Sequence, residues 1–187
     1  LGYFSVSQFL DATLLQKYAF EAQKDFTPIS LLALTPLILV ANAGANIGSV
    51  KQLIEMAKAK PKALNYSSGG SGGITHFAME VFLKQAGIEV THIPYKGSGP
   101  AIVDLLGGQV QLAFSTPPAV MQHVKAGKLK ALGVAGEARS PMAPDVPTFA
   151  ESGVANVNLS TWYGLFGPAN MPADVLDKIA RTVIRSE

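Results

Sequence analysis

The chain has 187 residues, with 15 Lys+Arg against 13 Asp+Glu, three His, no Cys and a net charge of +2. Hydrophobic residues make up 48% of it and charged residues 15%, so it carries enough apolar material for a core and is not a disordered chain. The three Arg (Arg139, Arg181, Arg185) and scattered Lys form no basic stripe, which argues against nucleic acid as a partner, and the lack of Cys removes disulfide frameworks, thiolate zinc sites and Cys nucleophiles together.

Length admits one large domain or two smaller lobes. The longest apolar run, 29–40, is interrupted by Pro36 and is shorter than the roughly 18 residues a membrane span needs. Leu1-Gly2-Tyr3 has neither a basic n-region nor a small-residue cleavage site, so no signal peptide is expected in this sequence. Without an initiator Met, and ending inside an amphipathic pattern at Ser186-Glu187, the chain reads as a fragment of a longer protein.

In chain order, 8–20 reads as a helix with Phe9, Leu10, Leu14 and Tyr18 near one face. A β-rich run follows over 28–42, broken at Thr35-Pro36. Ser49 and Gln52 form an S-x-x-Q capping box for a helix with Val50, Leu53, Ile54 and Ala57 on one stripe, stopped by Pro61. A short strand at 64–67 leads through Ser68-Gly69-Gly70-Ser71-Gly72-Gly73 into a helix over about 75–86, closed by Gly87. A strand at 88–93 leads through Gly97-Ser98-Gly99-Pro100 into a helix to Leu106, with Pro100 suited to the first helical position. A strand at 110–114 leads through Ser115-Thr116-Pro117-Pro118 into a helix to Ala126. A strand at 129–135, an irregular loop over 136–147, a short helix at 148–152, a strand at 157–166 and a helix from Pro172 complete the chain.

Alternation of strands and helices over 38–135 predicts an α/β fold with a mostly parallel sheet. Ligands of such sheets bind at the carboxyl ends of the strands, where helices begin. The loops there, 67–75, 95–100 and 115–118, are rich in Gly, Ser, Thr and Pro. Helix N-termini offer N–H groups and about half a positive charge, and glycines allow close approach, so these loops suit a carboxylate or another small oxyanion. Ordinary βα turns use the same residue types for geometry and capping.

Nucleotide phosphate fits poorly. Ile74 stands where a P-loop needs Lys, and neither Gly-rich loop completes G-x-G-x-x-G. A serine hydrolase is the second alternative. Gly69-Gly70-Ser71-Gly72-Gly73 matches G-x-S-x-G, and Asp104 and His123 follow in triad order, although such a match is cheap within a Gly/Ser run. His76 reads as a ligand-facing, surface or capping residue and His92 as a structural one. Trp162 and Tyr163 read as core or as pocket wall. No His pair has the spacing of a helical zinc site and the acids are scattered, so neither a metal nor a cofactor is expected.

The residues then resemble one family throughout the chain. The stretches are Lys24-Asp25-Phe26-Thr27-Pro28-Ile29-Ser30-Leu31-Leu32, Ser49-Val50-Lys51-Gln52-Leu53-Ile54 with Ala57-Lys58-Ala59-Lys60-Pro61, and Leu64-Asn65-Tyr66-Ser67-Ser68-Gly69. They continue with His92-Ile93-Pro94-Tyr95-Lys96-Gly97, Asp104-Leu105-Leu106-Gly107-Gly108-Gln109-Val110 and Ala126-Gly127-Lys128-Leu129-Lys130-Ala131-Leu132. Pro144-Asp145-Val146-Pro147-Thr148 and Trp162-Tyr163-Gly164-Leu165-Phe166-Gly167-Pro168 complete the set. The chain resembles the Bug/TctC-type periplasmic solute-binding proteins of tripartite tricarboxylate transport systems.

That resemblance implies a two-lobed, type II (Venus-flytrap) periplasmic-binding-protein fold. The second lobe is complete at 37–160, and the first is represented only by 1–36 and 161–187. The family's opening strand and helix with a ligand loop are missing, as is its continuation beyond the last helix. The implied function is a non-catalytic periplasmic receptor for a mono-, di- or tricarboxylate, with membrane components of the transporter as partners. A sensor presenting its closed state to a signalling partner is an alternative. Carried onto matching positions, the ligand-binding residues are Ser68, Gly69, Ser71, Gly72, Thr75, Ser115 and Thr116, joined by Phe4 and Ser5 from a first-lobe loop.

Overall fold

The structure is a computed structural model, and it describes residues 1–7, 21 and 24–184. The helix expected over 8–20 lies outside these residues. The chain divides into two compact units, one of 1–34 and 161–187 and one of 35–160.

In the first unit, β1 (Gly2–Ser5) pairs antiparallel with β7 (Ser160–Pro168), Gly2 opposite Phe166 and Ser5 opposite Tyr163. Aromatic side chains hold it together. The Phe4 ring packs 4.8 Å from Phe26 and 5.5 Å, edge-on, from Phe166. The last helix, α5 (Ala173–Ile184), belongs to this unit.

β2 (Phe26–Asn42) is one continuous strand, where the sequence predicts a break at Thr35-Pro36. Proline ends a strand only where its missing N–H is needed in a ladder. The β2 ladder of the second unit starts after it, at Leu37 opposite Ala135 and Ile38 opposite Ser115.

The second unit is built on β2, β3 (Asn65–Ser68), β4 (Thr91–Pro94), β5 (Leu112–Ser115) and β6 (Leu129–Ala135). β3 lies between β4 and β5 and is parallel to both, while β2 lies between β5 and β6 and is antiparallel to both. Four strands therefore share one direction and β2 alone opposes them, making the sheet mixed. Both faces are covered, which is why the Leu37–Ala41 stretch of β2 is apolar without a break and fully buried. Ile38, Val40 and Ala113 pack with Leu105 of α3 (Ser98–Leu106) and Val120 of α4 (Pro117–Lys125). On the other face the Phe149 ring packs, tilted, 5.1 Å from Phe82 of α2 (Ile74–Ala86) and 5.7 Å from Phe114.

α1 (Val50–Ala59) starts as the capping box predicts, with a variation. Gln52 N–H donates to Ser49 Oγ at 3.1 Å, but the Gln52 amide reaches back to Gly48, whose N–H it accepts at 2.8 Å, and to the Asn46 carbonyl. Ser49→Ala is expected to cost about 1 kcal/mol, read as a lower urea midpoint at unchanged slope. The helix predicted over 148–152 is a single turn. Glu151 N–H donates to Thr148 Oγ1 and Thr148 N–H to Glu151 Oε2, closing a reciprocal box that does not propagate. Pro100 is the third residue of α3 rather than the first, a position whose N–H has no helical partner to lose.

Candidate functional site

Because β3, β4 and β5 are parallel neighbours, the loops that follow them emerge at one edge of the sheet. The Ile38–Ser115 register places the start of β2 in the second unit at this same edge.

The first two loops are joined through their backbones. Tyr95 N–H donates to the Ser68 carbonyl at 3.0 Å, and Gly97 N–H to the Gly69 carbonyl at 2.9 Å. A Cβ on Gly69 would stand 3.3 Å from both N and Oγ of Ser98, so glycine permits this approach. Gly72 (φ 81°) and Gly97 (φ 105°) occupy backbone conformations that residues with a Cβ rarely adopt.

The helix ends at this edge differ from α1. Gly73 caps α2 and Gly97 caps α3, neither cap makes a side-chain hydrogen bond, and neither first turn contains an acid. The first-turn N–H groups have no partner within their helices and carry the positive end of the dipole. α4 is different from expectation. Its first two residues, Pro117 and Pro118, have no N–H, and Ala119 N–H bonds to the Thr116 carbonyl at 3.1 Å. Every first-turn residue of α2 carries an N–H, and α3 carries them on Ser98 and Gly99 ahead of Pro100, so the donor-bearing ends are those of α2 and α3.

The predicted residues are placed as follows. Ser68 is 1% exposed and its hydroxyl serves the loop itself, 2.7 Å from His92 Nε2 and 3.0 Å from the Gly70 carbonyl. Gly69 N–H donates to Thr75 Oγ1 at 3.3 Å. Ser71 is exposed at the tip of the loop, and Gly72 N–H donates to His76 Nδ1 at 3.0 Å. Ser115 is buried at the end of β5, and Thr116 caps α4 without a side-chain cap bond. Phe4 and Ser5 lie on β1 of the first unit, opposite Gly164 and Tyr163.

Sequence reading did not single out Ser98 or the joint role of the two histidines. Tyr66, His92 and His76 stack in sequence, with ring centroids 4.7 Å and 4.1 Å apart and planes within 18° and 12°. The Tyr66 hydroxyl donates to Glu80 Oε1 at 2.6 Å. Burial, and then this bond, raises the Tyr66 phenol above its ordinary range. The signal for the stack is the Tyr66–His92 register, which follows from strand pairing and not from local spacing.

Burial lowers the basicity of His92, the nearby His76 adds to the effect, and Glu80 opposes it. The unfolded chain therefore takes up this proton first as the pH falls. The His92 contribution to stability is expected to be full above about pH 6.5, the ordinary histidine value, and to decline as the pH drops below it. Urea unfolding from about pH 8 to about pH 5 checks this, and His92→Phe should flatten that part of the profile.

Among the described residues, no group of three or more His, Cys, Asp or Glu is placed to hold a metal, and no helix is long and apolar enough to cross a membrane. The triad of the hydrolase alternative is not assembled. Ser71 leads into α2 on one face of the sheet, whereas Asp104 and His123 lie on α3 and α4 on the other. Each is six residues beyond the start of its helix, about 9 Å along the axis from the loop edge. Asp104 Oδ2 instead accepts the Tyr95 hydroxyl at 2.7 Å.

Comparison with known proteins places this architecture. Residues 4–186 match the family model described as the tripartite tricarboxylate transporter family receptor. Protein BugT of Bordetella pertussis is 33% identical over 171 residues, 91% of this chain and 52% of that protein. The Rpa4515 protein of R. palustris, solved with adipate, is 32% identical with a TM-score of 0.84, covering 88% of this chain and 55% of that one. MatC from Rhodopseudomonas palustris, solved with bound malate, is 28% identical with a TM-score of 0.88, covering 98% of this chain and 63% of that one. Other matching structures are described as a periplasmic transporter and as the periplasmic binding protein BugD. The chain thus spans about half the length of the curated relatives it matches, and its fold is that of part of a periplasmic binding protein. With the family's motifs in order and its fold in place, the chain belongs to the tripartite tricarboxylate transporter receptor family.

Proposed function

We propose that this chain is part of a periplasmic receptor that captures a small organic carboxylate, without catalysis, and delivers it to the membrane components of a tripartite tricarboxylate transporter. The second unit is the carboxylate-binding lobe in this reading. The observation that carries it is the pair of glycine-capped N-termini of α2 and α3, joined through Gly69 and Gly97 and free of first-turn acids. An anion there meets N–H donors and two helix dipoles, each contact worth about 0.3–2 kcal/mol. Ser71, Thr75, Ser98 and Thr116 supply hydroxyls around it. Ser68 shapes the loop from beneath.

The loops 69–73 and 95–99 contain no Asp or Glu to pair with an ammonium group, and Lys96 is exposed in the second of them. Simple carboxylates therefore fit better than amino acids, in keeping with the malate and adipate of the two solved relatives.

Calorimetry of the full-length receptor against mono-, di- and tricarboxylates, malate and adipate included, tests this. Saturable binding at micromolar or lower concentration supports it, and silence across the panel removes it. The reading also expects no labelling of Ser71 by a fluorophosphonate. Stoichiometric labelling would replace it with the hydrolase.

A further inference from the structure

We propose that the outer edge of β6 is a docking groove for an extended segment of a partner protein in which acidic and apolar residues alternate. Within the sheet of the second unit β6 pairs with β2 alone. Toward its end the other side is taken, because Val134 N–H donates to the Pro147 carbonyl at 2.9 Å and Phe149 N–H to the Val134 carbonyl at 3.1 Å. At Ala131 that side is open. Asn42 N–H donates to the Gln111 carbonyl, on the β5 side, so Asn42 and Val40 turn their backbone groups toward β5. Ala131 stands opposite Val40 and therefore turns its N–H and C=O away from β2, where no described segment pairs with them. Two hollows of about 740 Å³ and about 540 Å³ meet at this point, sharing Gly48, Lys130, Ala131, Asp145 and Val146.

The two walls of the groove differ in character. Successive side chains of β6 point to opposite faces. Leu129 and Ala131 pack with Val124 and Val146 on the α4 face, which makes that wall apolar. Lys130 points to the other face, toward the start of α1, and lines the groove with Ser49 and Lys51. Lys51 and Lys130 are exposed and have no acidic partner among the described residues. α1 adds the positive end of its dipole, with no acid in its first turn. The acids of the groove are already engaged. Glu151 accepts two bonds from Arg139 Nε, at 2.9 Å and 3.1 Å, and Asp145 lies near the same guanidinium. The uncompensated charge is thus cationic and confined to one wall. A strand added at Ala131 sends alternate side chains to the two walls, acids toward Lys51 and Lys130 and apolar groups toward Val124 and Val146. A second copy of this chain is the wrong occupant, since it brings the same lysines against their equivalents. β6 runs antiparallel to β2, so Ala131 lies toward the far end of β2 from the loops after β3, β4 and β5. The groove is therefore separate from the proposed carboxylate site, and the inference does not depend on that site.

The probe is a capped decapeptide of alternating Glu and Val, titrated into the full-length receptor with its backbone amides observed by NMR. Shifts should be confined to the residues around the groove, and the Ala131 amide should exchange more slowly with solvent once the peptide is bound. Lys51→Glu combined with Lys130→Glu should weaken binding at least tenfold, roughly, whereas Lys84→Glu, in the last turn of α2, should change it by less than about twofold. The double variant should fold, because both lysines are exposed and an acid at position 51 suits the first turn of α1. Raising the salt from about 0.05 M to about 0.5 M should weaken the peptide several-fold. An alternating Lys and Val peptide should not bind. No response to the Glu and Val peptide at about 1 mM overturns the inference. So do equal losses in the groove and Lys84 variants, or unchanged exchange at Ala131. Groove shifts produced by phosphatidylglycerol vesicles and not by the peptide also overturn it, and assign the lysines to a lipid surface.

Discussion

Gly73→Asp is expected to weaken carboxylate binding at least tenfold, a change of about 1.4 kcal/mol, while leaving the fold as stable or more so. Gly73 caps α2 with φ −69° and ψ 166°, extended backbone open to any residue. Aspartate is among the best N-cap residues, and its carboxylate accepts the N–H of Thr75 or His76, donors that the proposed carboxylate would use. Its charge then repels the incoming anion in the same place. The helix gains a few tenths of a kcal/mol as the receptor loses its ligand, two effects of opposite sign from one substitution. Gly73→Asn supplies the same cap without the charge and should fall between Asp and wild type. Gly73→Ala adds neither an acceptor nor a charge at the cap and should retain binding. Calorimetry with the tightest ligand of the panel, beside thermal melts, reads both effects. Unchanged affinity in the Asp variant would remove the N-terminus of α2 from the site.

Much of the proposed site is legible in the sequence because it is built from local signals. Glycine runs after short apolar strands mark the loops, and the order of elements places them at one edge of a sheet. Three features depend on non-local geometry and escape it. The direction of β2 is set by pairing with β5 and β6, so a segment that reads as one more parallel strand runs against its neighbours. Ser98 enters the proposed site only because Gly97 bonds to Gly69 across the β3–β4 pair. The stack of His76 on His92 brings together residues from a helix and a neighbouring strand, and no spacing rule links them. One further difference was legible and turns on covalent chemistry. Pro117 and Pro118 announce a helix start, yet the ring that makes proline suitable there removes the donors an anion would use.

The largest loss of stability is expected at Tyr66. Its side chain is fully buried on β3, between β4 and β5, its ring lies against His92, and its hydroxyl is bound to Glu80. Tyr66→Ala removes the ring beneath the histidine stack and opens a cavity beside the carboxylate loop. Large aromatic-to-Ala changes in cores cost about 3–5 kcal/mol, a substantial part of the roughly 5–15 kcal/mol that holds a typical domain. Tyr66→Phe keeps the ring and loses only the hydroxyl. Glu80 has 53% of its side chain exposed, so water can replace the lost donor, and the cost should be about 0.5–1.5 kcal/mol. Urea unfolding of the two variants separates packing from hydrogen bonding. If Tyr66→Ala costs no more than Tyr66→Phe, the ring is not what supports the stack. If the gap is as large as expected, the floor of the anion loop is an aromatic wedge in the core, and carboxylate affinity should fall with Tyr66→Ala even though Tyr66 is not among the residues assigned to the ligand.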